Sequence, residues 1–282
     1  MTPLTPLLRT LLDQAEPVVL VQVAAAKGST PREAGTAMLV TGLSTHGTIG
    51  GGRLEWEATR RAREMLASGA AASTLKLPLG PAVGQCCGGN VTLELRHVAA
   101  ADVDALSAFE ARLAERLPQV LLFGAGHVGR ALARALAPLP LRLRWIDDRE
   151  HEFPDPPLEG PTVVLTEGWL GEIEAAPPGA AYLVMTYSHG LDFELCEAVL
   201  RRGDFAYLGL IGSRSKRARF EHGWRALGLD DALIQRLVCP IGGPLRDKRP
   251  PVIAALAAAQ VLHALAAAVA DGEASTKGEA AA

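Results

Sequence analysis

Apolar and polar residues follow two different rhythms along this chain, and the rhythm changes near Leu117-Pro118. Ahead of that point PVVLVQVAAA (Pro17–Ala26) predicts a strand, then a turn at Lys27-Gly28-Ser29-Thr30-Pro31, then a second strand over Thr36–Thr41. A Gly-rich turn from Gly47 to Gly52 leads into LEWEATRRAREMLASG, whose spacing predicts a helix stopped at Gly69. NVTLELRH (Asn90–His97) alternates like a half-exposed strand, and Asp102–Arg116 reads as a bridging helix. From Gln119 onward strands and helices take turns. The strand VLLFG is followed by a helix from His127, the strand LRLRWID, a Pro-rich loop and the strands TVVL and AAYLVMT. The helix DFELCEAVLRR, the strand AYLGLI, the helix RSKRARFEHGWRAL and a final Ala-rich helix complete the series. Strands separated by helices imply a parallel sheet with crossovers. The expected fold is α/β: a C-terminal Rossmann-like doubly wound parallel sheet with a smaller N-terminal α+β domain. Residues 1–117 and 118–270 are the expected domains, and 271–282 (DGEASTKGEAAA) reads as a disordered tail.

Composition narrows the picture. Hydrophobic residues make up 49% and charged residues 21%, a globular balance that argues against global disorder. A net charge of −3 gives no general attraction to nucleic acid, so any anion site must be local. The start, MTPLTPLLRTLLDQ, lacks the charged and apolar regions of a signal peptide. Pro250–Ala270 contains no Asp, Glu, Lys or Arg and has the length of a bilayer span. It is mostly Ala, however, with Gln260 and His263 inside, and reads as a buried helix rather than a membrane contact. Four Cys occur, at 86, 87, 196 and 239, without CxxC spacing. Free thiols in a reducing cytoplasm are the expectation.

Three loops carry candidate chemistry in the C-terminal part. Gly124-Ala125-Gly126-His127-Val128-Gly129 follows a strand and opens a helix. Gly124 permits the tight turn, Gly126 lets backbone approach a phosphate, and Gly129 allows close helix packing. The N–H groups at the helix start can hold an anion, or the turn is merely tight and His127 merely exposed. Asp147 and Asp148 end the next strand, where a dinucleotide enzyme places its ribose-binding acid. Gly212-Ser213-Arg214-Ser215-Lys216-Arg217 offers Ser213 as a helix cap. Its three cations in four residues oppose the helix dipole and point to a phosphate; a solvated basic face continued by Arg219 is the alternative. Thr186-Tyr187-Ser188-His189-Gly190 forms the third loop, with His189 either facing a ligand or packed or solvent-facing. All three should open onto the carboxyl edge of the sheet, where ligands bind in such folds.

The N-terminal part holds Gly84-Gln85-Cys86-Cys87-Gly88-Gly89, whose small neighbours leave a thiol approachable as a soft metal ligand or nucleophile. Small side chains fitting a crowded turn are the bland alternative. Cys196 fits an apolar helical stripe, and Cys239 at a strand end stays open in meaning. The loop Gly47–Glu55 either approaches a ligand or makes a tight turn.

In this order AKGSTPR (Ala26–Arg32), GTIGGGRLE, GQCCGG, LLFGAGHVGRALA, MTYSHGLD, GLIGSRSKRARF and VCPIGG resemble the xanthine dehydrogenase accessory proteins, the XdhC/CoxI family. The resemblance runs from about Val18 to about Ala270, and GQCCGG combined with GAGHVG and IGSRSKR is its most specific part. One departure is GGPLRDKRPP, where the family commonly continues GLDIGA. The resemblance implies an accessory protein, without turnover of its own, that binds molybdenum cofactor (molybdopterin). The cofactor would be inserted into xanthine dehydrogenase or a related molybdenum hydroxylase, with a cysteine desulfurase supplying terminal sulfur. The contacts read from the loops for such a ligand are Gly124, Gly126, His127, Gly129, Asp147, His189, Gly212, Ser213, Arg214 and Lys216. By thiolate chemistry Cys86 or Cys87, more readily Cys87, is expected to reach the molybdenum. The competing classes are an NAD(P)-dependent oxidoreductase, favoured by Asp147 but lacking a clear hydride-transfer dyad, and a scaffold that binds only proteins. Homo-oligomerisation is left open.

Overall fold

The computed structural model describes residues 3–28, 30, 32–78, 89–244 and 246–279. Contacts divide the chain into two compact units, Thr2–Glu115 and a second that begins at Arg116.

The first unit holds α1 (Thr5–Asp13), β1 (Val18–Lys27), β2 (Ala37–Val40), β3 (Thr45–Gly47), α2 (Gly52–Ser68), β4 (Ala72–Pro78), β5 (Asn90–Val98) and α3 (Val103–Glu115). Its sheet runs β3-β2-β1-β5-β4, with every neighbouring pair antiparallel. Period-two alternation sends Val19, Val21 and Val23 to one face, where α2 lays down Leu54, Ala58, Ala62 and Met65. Val18 and Leu20 face the other way, against Leu8 and Leu11 of α1 and Val103 and Leu106 of α3. Cover on both faces explains why β1 reads as a continuous apolar run. The expected bridging helix is therefore α3, and it is a layer of this unit.

The second unit comprises β6 (Gln119–Phe123), α4 (His127–Leu136), β7 (Arg142–Asp147), β8 (Thr162–Leu165), α5 (Trp169–Glu174), β9 (Ala181–Val184), α6 (His189–Arg202), β10 (Tyr207–Leu210), α7 (Arg214–Ala226), α8 (Asp231–Gln235), β11 (Leu237–Val238) and α9 (Pro250–Glu279). The sheet order is β11-β10-β9-β6-β7-β8, all parallel. Counted within this unit, that is the 3-2-1-4-5-6 order of a doubly wound Rossmann sheet. Leu121, Phe123, Tyr182 and Val184 face α5 to α8, while Val120, Leu122, Leu183 and Trp145 face α4 and α9. The order in which strands are added reverses between β6 and β9, and such sheets bind ligands at that switch point.

Helix α9 is long and apolar enough to cross a bilayer, with a mean hydropathy of 2.1 over Pro250–Val269. Its Ile253, Ala254, Ala257, Ala258, Val261 and Leu265 nevertheless sit in the core against α4. Gln260 is paired rather than misplaced: its Oε1 accepts from the Tyr207 hydroxyl and from Gly242 N, each at 2.9 Å. The helix continues to Glu279, through most of the stretch read as a disordered tail.

Candidate functional site

Because β6, β7, β9, β10 and β11 are parallel, the loops that leave them share one edge. Gly124, Asp147, Thr186, Gly212 and Cys239 lie in or border those loops.

The three glycines of the first turn answer to different demands. Gly124 sits at φ +112°, and a Cβ there would lie 2.3 Å from the Met185 carbonyl oxygen. At Gly129 a Cβ would lie 2.1 Å from the Gly124 oxygen, because α4 packs directly on the turn. Gly126 is different: a Cβ there meets nothing within 4 Å. Gly126 is also the N-cap of α4, and no side chain caps that helix. Its first N–H groups keep the partial positive charge of an uncapped helix start. By contrast, Ser188 caps α6 by accepting from Leu191 N, and Ser213 caps α7 by accepting from Lys216 N at 3.1 Å.

Asp147 does not present a free carboxylate. It is fully buried; Oδ2 accepts from Ala125 N at 2.6 Å and Arg149 Nη2 at 3.0 Å, while Oδ1 accepts from Arg149 N at 3.0 Å and Nε at 2.9 Å. Burial alone would raise its pKa, but the hydrogen bonds from Arg149 and Ala125 outweigh it and hold the carboxyl below its ordinary value. Of the two acids at the ribose position, Asp147 is the one that locks the Gly124–Gly126 turn to β7.

Lys216 is likewise engaged within the protein. Its Nζ lies 2.5 Å from Asp192 Oδ2 and donates to Ile211 O at 3.0 Å, in a pair whose side chains are 9% and 1% exposed. Asp192 Oδ1 accepts from Thr186 N and Oγ1 at 3.0 and 2.8 Å. This network ties the loop after β9 to the loop after β10 and gives the Lys216 charge an internal carboxylate partner. Arg217 pairs with Glu221 at 2.6 Å, and Arg219 donates to His189 Nδ1 at 3.2 Å. Among the described residues Arg214 is the exposed cation of that turn with no ion pair. His127 and His189 are both exposed at helix starts. A Cβ at Gly212 would press on Lys216 Cδ at 2.8 Å, so this glycine makes room for the ion pair.

Elsewhere, Glu55 closes the Gly47–Gly52 loop on itself. Its Oε2 accepts from Thr48 Oγ1 at 2.6 Å, Ile49 N at 3.2 Å and Gly51 N at 3.1 Å, so those N–H groups are already occupied. Burial pushes the Cys196 thiol well up, and raises that of Cys239 as well. Cys86 and Cys87 lie outside the described residues. Among the described residues no group of three His, Cys, Asp or Glu side chains is placed to hold a metal ion.

Comparison with known families settles the lineage. Residues 120–261 match the XdhC Rossmann domain, and residues 11–77 match the XdhC and CoxI family. The chain belongs to the XdhC/CoxI family. YqeB of Escherichia coli (strain K12), described as uncharacterized, is 29% identical over 262 residues, which are 90% of this chain and 44% of that protein. This XdhC/CoxI chain thus spans less than half the length of that curated relative. A crystal structure of a xanthine dehydrogenase from Bacillus halodurans matches with a TM-score of 0.67 at 18% identity, over 94% of this chain and 96% of that one. That likeness is one of fold. Within the XdhC/CoxI frame, sequence reasoning missed Asp148, Arg149 and Tyr187 as a group and the Asp192–Lys216 pair. Only the adjacency of Asp147-Asp148-Arg149 was visible as a signal.

Proposed function

We propose that this protein binds molybdenum cofactor (molybdopterin), protects it, supports its sulfuration and passes it to xanthine dehydrogenase or a related molybdenum hydroxylase, without turnover of its own. The observation that carries this reading, in a chain of the XdhC/CoxI family, is the open space at Gly126 in front of the uncapped α4. The fold requires glycine at 124 and 129 but not at 126, so approach by a ligand explains the missing side chain. A phosphate group there would meet backbone N–H groups at a helix start, and Arg214 supplies an exposed cation on the same edge. For the metal end the described residues offer no cluster. Soft thiolates suit a sulfur-ligated metal, and we assign that contact to Cys86 or Cys87, with a cysteine desulfurase as sulfur donor and a reducing cytoplasm as setting.

An NAD(P)-dependent oxidoreductase is the weaker reading: of the two acids at the ribose position Asp147 has both oxygens engaged, Asp148 accepts from the Tyr187 hydroxyl, and the sequence offers no clear hydride-transfer dyad. Anaerobic purification, denaturation and mass spectrometry of the released small molecules test the choice. A phosphorylated pterin is expected; a nicotinamide nucleotide in its place overturns the proposal. Gly126→Val and Arg214→Ala are each expected to shed the ligand, and retention by both as in the parent would remove the phosphate assignment. The Cys86→Ala/Cys87→Ala double variant is expected to lose activation of cofactor-free xanthine dehydrogenase.

A further inference from the structure

Beside the Gly124–Gly126 turn, the loops after β7 and β9 touch each other. The Tyr187 hydroxyl donates to Asp148 Oδ2 at 2.8 Å. Both strands neighbour β6, so this contact reaches across the carboxyl end of β6, a gap of about 9–10 Å at ordinary strand spacing. Arg149, fixed by both oxygens of Asp147, holds its guanidinium over the Tyr187 ring at 4.4 Å from the centroid. The tyrosine is still 59% exposed, which leaves the ring open away from Arg149. Asp148 Oδ1 is removed from water yet accepts no hydrogen bond, and the nearest cation, Arg149 Nε, stands 3.7 Å away. Leaving a buried carboxylate oxygen unfilled is unfavourable, and a donor that fills it is correspondingly favoured. Its partner oxygen is filled only by a hydroxyl on an exposed side chain that can rotate away.

We propose that Tyr187 and Asp148 form the ring-binding end of this site, Tyr187 stacking on a flat heterocycle and Asp148 accepting the paired N–H groups of a 2-amino-4-oxopyrimidine edge, as a pterin carries. The inference rests on the cofactor reading above and names the residues for the part of the ligand which that reading leaves unassigned. Two parallel N–H donors match a carboxylate as a guanidinium does, and the bond is charge-assisted. The Tyr187 hydroxyl holds the place of one donor; as the ring enters it leaves Oδ2, and its movement has to open the buried Oδ1 to the second donor.

The test titrates the full chain with 6-hydroxymethylpterin monophosphate, its lumazine counterpart (2-oxo in place of 2-amino), GMP, IMP, NAD+ and inorganic phosphate. The pterin is expected to bind at least about tenfold tighter than the lumazine. Asp148→Asn should erase that ratio while binding inorganic phosphate like the parent. Tyr187→Leu should weaken both pteridines about tenfold, whereas Tyr187→Phe, which keeps the ring and frees Asp148, should bind the pterin as tightly or more so. GMP shares the edge, so tighter binding of the pterin than of GMP supports a pterin site, and the reverse order overturns it. Overturning results are also no pteridine binding by the parent, tighter binding of NAD+, an intact pterin-to-lumazine ratio in Asp148→Asn, or Tyr187→Phe as weak as Tyr187→Leu. Failure of the underlying reading has a separate signature: Gly126→Val would bind inorganic phosphate like the parent, whatever Asp148 does.

Discussion

At the scale of single residues, the Gly124–Gly129 turn separates what folding needs from what the proposed ligand would need. Gly124→Ala combines a positive φ with a Cβ 2.3 Å from a carbonyl oxygen, and Gly129→Ala a Cβ 2.1 Å from one. Each is expected to lower stability by about 2 kcal/mol or more in urea titrations. Gly126→Ala should melt like the parent, because its new methyl meets nothing, yet bind phosphate ligands less well. Asp147 gives a pH signature. Its folded-state pKa lies below the ordinary 3.8, so its contribution is whole above that value and is lost as pH falls through the folded value. Asp147→Asn should therefore be less stable than the parent at neutral pH, with the gap closing in acid; a constant gap from pH 7 to pH 2 would count against the assignment. The glycine pattern was legible because its backbone geometry is local to the turn. The fate of Lys216 was not, since the carboxylate that takes its charge lies on another helix, 24 positions away.

Among the elements, α9 shows how far composition alone misleads. Val261 is fully buried and Leu262 is 36% exposed, although they are adjacent in one apolar stretch. Val261→Asp is expected to unfold the Rossmann unit, and Leu262→Lys to stay within about 0.5 kcal/mol of the parent, as followed by chemical denaturation. Gln260→Leu should cost about 1–3 kcal/mol for each partner it strands, the Tyr207 hydroxyl and Gly242 N. The strand–helix alternation of the second unit was readable because its strands are apolar runs bounded by turns. Helix α5 escaped notice because it has six residues, too few to establish a helical period. Helix α1 escaped for another reason. Glu110 of α3 accepts from Leu4 N at 2.6 Å and from Thr5 Oγ1 at 2.7 Å, so its N-terminus is held by a carboxylate over a hundred residues away. Strand β4 alternates exposed and half-buried positions and buries none fully, leaving a weak apolar signal.

For the whole molecule, the four apolar cores divide cleanly: two use residues up to Leu106 and two use residues from Val120 onward. We therefore expect the fragment 116–282 to fold alone with a cooperative melt and to keep the proposed phosphate site, since Gly126 and Arg214 both belong to it. A fragment that stays unfolded in circular dichroism would show that stability crosses the boundary. The unequal duties of the turn's glycines reach beyond the laboratory. If the proposed ligand is the reason for glycine at 126, then in a descendant that did not bind it selection for folding would preserve positions 124 and 129, while 126 would drift freely. On that reading a relative with this sheet and a bulky residue at 126 would be a chain that still folds but has given up the proposed passenger.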